Sequence, residues 1–209
     1  AGDTLEKTVH IITSDTMVEN PIVKRYMHSS SDSINKAAKK DKLNIKASVI
    51  YPEPEQTFWS RVIGLGYPTP EPPGFRWCTE RLKILPSNAF TYDVIKTDGE
   101  IVILLGVRKA ESNTRARSIS SREIEGKILT PHDSIPKAYV FSPLSSIKNE
   151  HVWEYLLKDD GLSAWGTDNN YLFALYQGED LGEEQSVVGE VNKDKVAITG
   201  NSRFGCWCC

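Results

Sequence analysis

Cysteine is scarce in this sequence and unevenly placed. Four thiols occur in 209 residues; Cys206, Cys208 and Cys209 fall in the last four positions, and Cys78 stands 128 residues before the first of them. A secreted disulfide framework spreads its cysteines along the chain, so this arrangement excludes that class and points to a reducing cytoplasm. Long apolar runs are lacking too. Nothing approaches the ~20 residues that cross a bilayer, and no basic stretch followed by an apolar core opens the chain as a secretion signal would. The first residues are Ala-Gly-Asp rather than Met, which leaves room for an upstream segment. Neither sign of charge dominates: 25 Lys and Arg against 28 Asp and Glu give a net charge of −3. That balance argues against coating nucleic acid by bulk electrostatics and leaves a local basic patch open.

With 39% apolar and 25% charged residues, the chain has the make-up of a globular protein with one sizeable α/β domain. The expected division is a domain over 1–177, followed by an excursion and cysteine-bearing segment over 178–209. The run TVHIITSD (8–15) is apolar, β-branched and closed by a polar turn, which predicts a buried strand. Asn20 and Pro21 then open a helix, with an interruption expected at SSSDS (29–33) before INKAAKKDK. IKASVIYP (45–52) predicts a second strand, and TFWSRVIGLG (57–66) a short helix stopped by Gly66. PTPEPPG (68–74) is a stiff loop, because each proline fixes its φ and disfavours helix before it.

WCTERLKILPSNAF predicts a helix opened or kinked at Pro86, and EIVILLGV (100–107) the clearest buried strand. The polar stretch from Arg108 to Lys137 has no sustained period and reads as a long loop. AYVFSPL (138–144) predicts a fourth strand, NEHVWEYLLKDD a helix capped by Asn149, and NNYLFALYQ (169–177) another helix. The alternation of strand and helix predicts a parallel sheet with helices on both faces. Ligands bind such sheets at the carboxyl ends of the strands, so SDT after the first strand and GVRKAES after the third are expected on one rim.

The stretch GVRKAESNTRARSISSR (106–122) carries most of the candidate chemistry. Gly106 ends a strand, and Arg108, Lys109, Arg115, Arg117 and Arg122 follow among Ser and Thr hydroxyls. Guanidinium forks match phosphate oxygens, and Lys adds a mobile point charge. The plain alternative is a solvated charged loop; position at a strand's carboxyl end favours phosphate. Asp15 could bind ribose hydroxyls or magnesium, but an isolated Asp more often caps a turn. Glu19 and Asn20 are equally open. Cys206 and Cys209 have C-x-x-C spacing, which suits zinc, an iron–sulfur cluster or a redox disulfide. Cys78 sits near Arg76 and Arg81, and the ordinary reading of a lone Cys is a small buried residue. His10 and His151 read as structural, and the tryptophans and VWEYLL as core.

Five blocks, VHIITSDTMVENP, FRWCTERLKILPSNAF, ILLGVRKAESNTRA, AYVFSPLSSIKNEHVWEYL and GNSRFGCWCC, occur in this order. Together they resemble the phosphoadenosine phosphosulfate reductase-like branch of the PP-loop ATP pyrophosphatases, and within it the DNA phosphorothioation sulfurtransferases of the Dnd and Ssp systems. The likeness covers most of the chain, weakly over 29–44, 116–137 and 178–197. It implies an adenine nucleotide α-hydrolase-like (PP-loop) fold in a cytoplasmic enzyme that splits Mg2+-bound ATP to AMP and pyrophosphate. The chemistry implied is adenylation of a DNA backbone phosphate, after which sulfur from a cysteine desulfurase replaces a non-bridging oxygen. The partners implied are DNA, that desulfurase and the other subunits of the DNA modification complex, with no membrane.

By the same resemblance Arg108, Lys109, Glu111 and Arg115 are the catalytic candidates, and Ser14, Asp15, Thr16, Gly106 and Ser112 line the nucleotide. Cys78, Cys206 and Cys209 would ligate a [4Fe–4S] cluster. Ala197, Ile198 and Thr199 stand where relatives usually carry another cysteine, so Cys208 or an external group becomes the fourth-ligand candidate. The SGGKDS loop of the family is not in the sequence and is expected just before Ala1, on a normally central strand. An adenylylated-sulfate reductase, a non-catalytic nucleotide-binding partner subunit and a zinc-stabilised domain are the alternatives.

Overall fold

The computed structural model describes residues 6–70, 76–122 and 127–177. It is a mixed α/β structure whose contacts divide it into two units, one running to Tyr92 and including Trp165–Thr167, the other beginning at Asp93. Among the described residues no helix is long and apolar enough to cross a membrane.

The first unit opens with a strand–helix–strand unit: β1 (Val9–Ser14), α1 (Pro21–Lys40) and β2 (Ile45–Ile50). β1 and β2 pair in parallel from Val9–Ile45 to Ser14–Ile50. Asn20 caps α1, its Oδ1 accepting the Ile22 N–H at 2.9 Å, and Pro21 fills the first helical position, where a missing N–H costs nothing. The helix stops where Lys42 enters the left-handed region (φ 54°), and the Leu43 N–H closes back on the Ala38 carbonyl at 2.9 Å. No break occurs at 29–33, contrary to the sequence expectation. Asn35 explains part of this: its Nδ2 donates to the Ala47 carbonyl at 2.9 Å and its Oδ1 accepts the Ala47 N–H at 2.8 Å. One side-chain amide thus docks the middle of α1 on β2 and outweighs the weak helix propensity of the serines.

A π-helical turn at Ser60–Gly64 ends near Gly66, whose φ of 67° is the left-handed conformation that glycine adopts freely. α2 (Trp77–Thr79) leads through a second π-helical turn, Glu80–Ile84, into α3 (Leu85–Asp98). Pro86 therefore does not interrupt the helix. It has no N–H to give the Leu82 carbonyl and its ring crowds that group, and the wider turn just before it accommodates both effects. Val18, Phe58, Trp77 and Leu82 form the buried cluster of this unit. Phe58 stacks on Trp77 with centroids 5.7 Å apart, and the Trp77 indole N–H is satisfied by the Pro68 carbonyl at 3.0 Å.

In the second unit β3 (Ile101–Leu104) pairs in parallel with β5 (Ala138–Phe141), and β4 (Thr130–Pro131) pairs antiparallel with β5. Two sheets, not one, are therefore present among the described residues. The expected loop from Arg108 to Lys137 is also corrected: it holds α4 (Asn113–Ser120) and β4. α4 buries Ile119 alone, so it leaves no apolar period in the sequence to detect. α5 (Asn149–Leu156) and α6 (Asn169–Gln177) follow; Trp153 meets Phe173 edge-on at 5.0 Å, and Asn169 Nδ2 bonds the Leu156 carbonyl. Tyr155, expected in the core, is 77% exposed, and Trp59 and Trp165 are partly exposed.

Candidate functional site

The turn after β1 gathers charge in a way its sequence only hints at. Asp15 and Thr16 are fully buried, and Glu19 nearly so. Asp15 Oδ1 accepts the Met17 N–H at 2.7 Å, which holds Met17 at a φ of 64°. Its other oxygen, Oδ2, faces Lys24 Nζ and His28 Nε2, each at 3.4 Å. Thr16 donates to Glu19 Oε1 at 2.9 Å, and Lys83 from the π-helical turn reaches that oxygen at 3.6 Å. Ser14 Oγ lies 3.5 Å from Ser87 Oγ. Burying a carboxylate is costly unless it is paired, and here each one is paired with groups whose outer parts stay in water. Both oxygens of Asp15 are thus engaged within the protein, as turn cap and as ion-pair partner.

Lys24, His28 and Lys83 were not singled out from sequence. The signal existed for two of them: Lys24 and His28 are four residues apart on one helix, so both face back toward the preceding turn.

The second cluster follows β3. The Leu105 N–H still bonds the Phe141 carbonyl at 2.9 Å, Gly106 is exposed, and the Lys109 N–H anchors the loop on the Ser145 carbonyl at 2.9 Å. A single 3-10 turn at Lys109–Glu111 brings Glu111 between two arginines. Glu111 Oε2 accepts from Arg115 Nε at 2.9 Å, and Oε1 lies 3.5 Å from Arg108 Nη2. Arg108 Nη2 also donates to Asn149 Oδ1 at 3.1 Å, which corrects the sequence reading of Asn149 as a helix cap; Lys148 holds that position without a side-chain bond. Ser112 caps α4, its Oγ accepting the Arg115 N–H at 3.2 Å. Arg122 pairs with Asp133, while Arg117 is exposed with no ion pair among the described residues. Both guanidinium groups are thus engaged by one carboxylate within the protein.

The remaining candidates are more plainly placed. Cys78 is a free, half-buried thiol packed against the Val18–Phe58–Trp77–Leu82 cluster, and Arg81 turns to Gln56 Oε1 at 3.2 Å. Cys206, Cys208 and Cys209 lie outside the described residues, as do the Ala197–Thr199 positions and most of PTPEPPG. Among the described residues no three His, Cys, Asp or Glu side chains gather as a metal site. His132 Nδ1 accepts two backbone N–H groups, from Ser134 and Ile135, and is structural. His10 packs edge-on against Phe90, and His151 is exposed. No protein-family model matches the chain, and no curated protein matches it significantly.

Proposed function

We propose that this chain is the ATP pyrophosphatase and sulfur-transfer subunit of a DNA phosphorothioation system, with a PP-loop type of α/β fold. The observation that carries the reading is the pair of guanidinium groups, Arg108 and Arg115, preset on Glu111 directly after a parallel strand. Such a pair binds phosphate oxygens bidentately and can take up the charge that develops on a departing pyrophosphate. Glu111 orients both side chains before the ligand arrives, so little ordering is left to do on binding. Lys109 adds a further positive charge to the same turn, and Ser112 fixes the start of α4 from which Arg115 projects.

The parallel β1–β2 and β3–β5 pairs support an α/β nucleotide fold, and the buried Asp15–Thr16 turn at the carboxyl end of β1 supports a ligand-facing rim on that strand. In this reading Mg2+-bound ATP supplies the adenylyl group that activates a DNA backbone phosphate, in a cytoplasmic complex fed by a cysteine desulfurase. A [4Fe–4S] cluster held by Cys78 with Cys206 and Cys209, and Cys208 as candidate fourth ligand, would supply electrons or relay sulfur. Cys78 is compatible with this, being a free thiol among the described residues.

The test is to supply the chain and its partner subunits with Mg2+-ATP and DNA and to follow AMP, pyrophosphate and sulfur in the DNA. Pyrophosphate release coupled to sulfur incorporation is expected. Sulfite release from an adenylylated sulfate, with no pyrophosphate from ATP, would overturn the reading in favour of a reductase. Nucleotide binding without turnover would favour a non-catalytic subunit.

A further inference from the structure

We propose that the solvent face of α1 is a contact surface for the phosphate backbone of duplex DNA. The inference rests on the reading above that the chain acts on DNA, and it names the surface involved. Although the chain carries a net charge of −3, α1 alone holds five Lys or Arg residues against one acid, Asp32. Lys24 is already engaged by Asp15. The other four, Arg25, Lys36, Lys39 and Lys40, are exposed and have no ion pair among the described residues. At 100° per residue they fall within a stripe roughly 100° wide, and from Arg25 to Lys39 they span about 21 Å of helix. Ala38, on the opposite side, is buried, and Asn35, on the flank of the stripe, is bonded to Ala47.

Helix stability accounts for only part of this pattern. Lys39 and Lys40 complement the negative end of the helix dipole, but Arg25 lies near its positive end, and the first turn holds no acid. A stripe of cations on an otherwise acidic chain complements a polyanion and keeps attraction local to one face.

The experiment is fluorescence anisotropy of the full chain with a short labelled DNA duplex across a salt series. With four phosphate contacts, the log–log salt slope should be about −3 to −4, which is roughly a 10²-fold loss of affinity between about 50 and 200 mM salt. Replacing Arg25, Lys36, Lys39 and Lys40 together by Gln should remove most of that slope while far-ultraviolet circular dichroism stays unchanged. Asp32→Asn should raise affinity, because it removes the one negative charge on this face. An unchanged slope in the fourfold variant overturns the proposal, as does binding to phosphatidylserine vesicles without binding to the duplex. The two readings can fail separately. Pyrophosphate release with an unaltered slope removes only this surface, whereas duplex binding through α1 with no ATP turnover removes the enzyme reading.

Discussion

Truncating Asn35 to alanine should destabilise the first unit by about 2–4 kcal/mol, because it strips both partners from one buried residue. Ala47 is 6% exposed, and the Asn35 amide satisfies its N–H at 2.8 Å and its carbonyl at 2.9 Å. Each neutral bond contributes only about 0.5–1.5 kcal/mol net, but a buried group left unpaired costs about 1–3 kcal/mol. The upper end applies if the α1–β2 contact stays closed to water, and the lower end if a water enters the space. Asn35→Asp keeps the acceptor and sets a negative charge against the Ala47 carbonyl, so it should also destabilise. Urea denaturation gives the free energy, and amide exchange at Ala47 gives a local readout. A 2–4 kcal/mol loss corresponds to roughly 30- to 1000-fold faster exchange wherever exchange follows unfolding of this unit. A cost below about 0.5 kcal/mol with unchanged exchange would refute the argument that this amide holds α1 in one piece across its serine run.

Three further outcomes are expected. Asp15→Ala should cost about 2–3 kcal/mol because the Met17 N–H loses its acceptor, whereas Asp15→Asn, which keeps Oδ1, should cost about 1 kcal/mol; equal losses in denaturant melts would mean that the turn bond is not the main contribution. Lys42→Gly should stabilise by about 0.5–1 kcal/mol, since the left-handed conformation at that position strains an L side chain, and a lower melting temperature would contradict this. Arg115→Ala should slow pyrophosphate release on the order of 10²-fold, with Arg115→Lys recovering little because Lys cannot reproduce the Nε bond to Glu111; full activity in either variant would remove Arg115 from the site.

β1, β2, β3 and β5 were legible as strands because each is a short β-branched or apolar run, as in VHIITS and IVIL, but β4 was hidden in the expected loop and β3, expected to be buried, leaves Val102 and Leu104 exposed. The start of α1 was equally readable from Asn20 and Pro21, both of which act locally. What the sequence hid was tertiary. Asn35, beside the SSSDS run, overrides its signal only by bonding Ala47 twelve residues on, and Arg108 claims Asn149 across 41 residues, so neither outcome follows from nearby neighbours. α4 was missed because a helix with one buried side chain has no apolar stripe, and its cap, Ser112, was read as a nucleotide-lining residue and not as the start of a helix. The phosphate candidates after β3 were found as residue types, but the role of Glu111 as their common anchor needed geometry. Around Asp15 the acid was singled out and its partners were not, although the i,i+4 spacing of Lys24 and His28 on α1 was readable; Lys83, which reaches the neighbouring Glu19 from the turn between α2 and α3, had no such signal.

The proposed role of the guanidinium pair on Glu111 is phosphate chemistry on ATP. Isotopically labelled ATP, incubated with the chain, its partner subunits, Mg2+ and DNA, tests it most directly. The expected products are AMP and pyrophosphate in equal amounts, with formation suppressed by Arg108→Ala. ATP left intact, or cleaved at the same rate by Arg108→Ala, would contradict it.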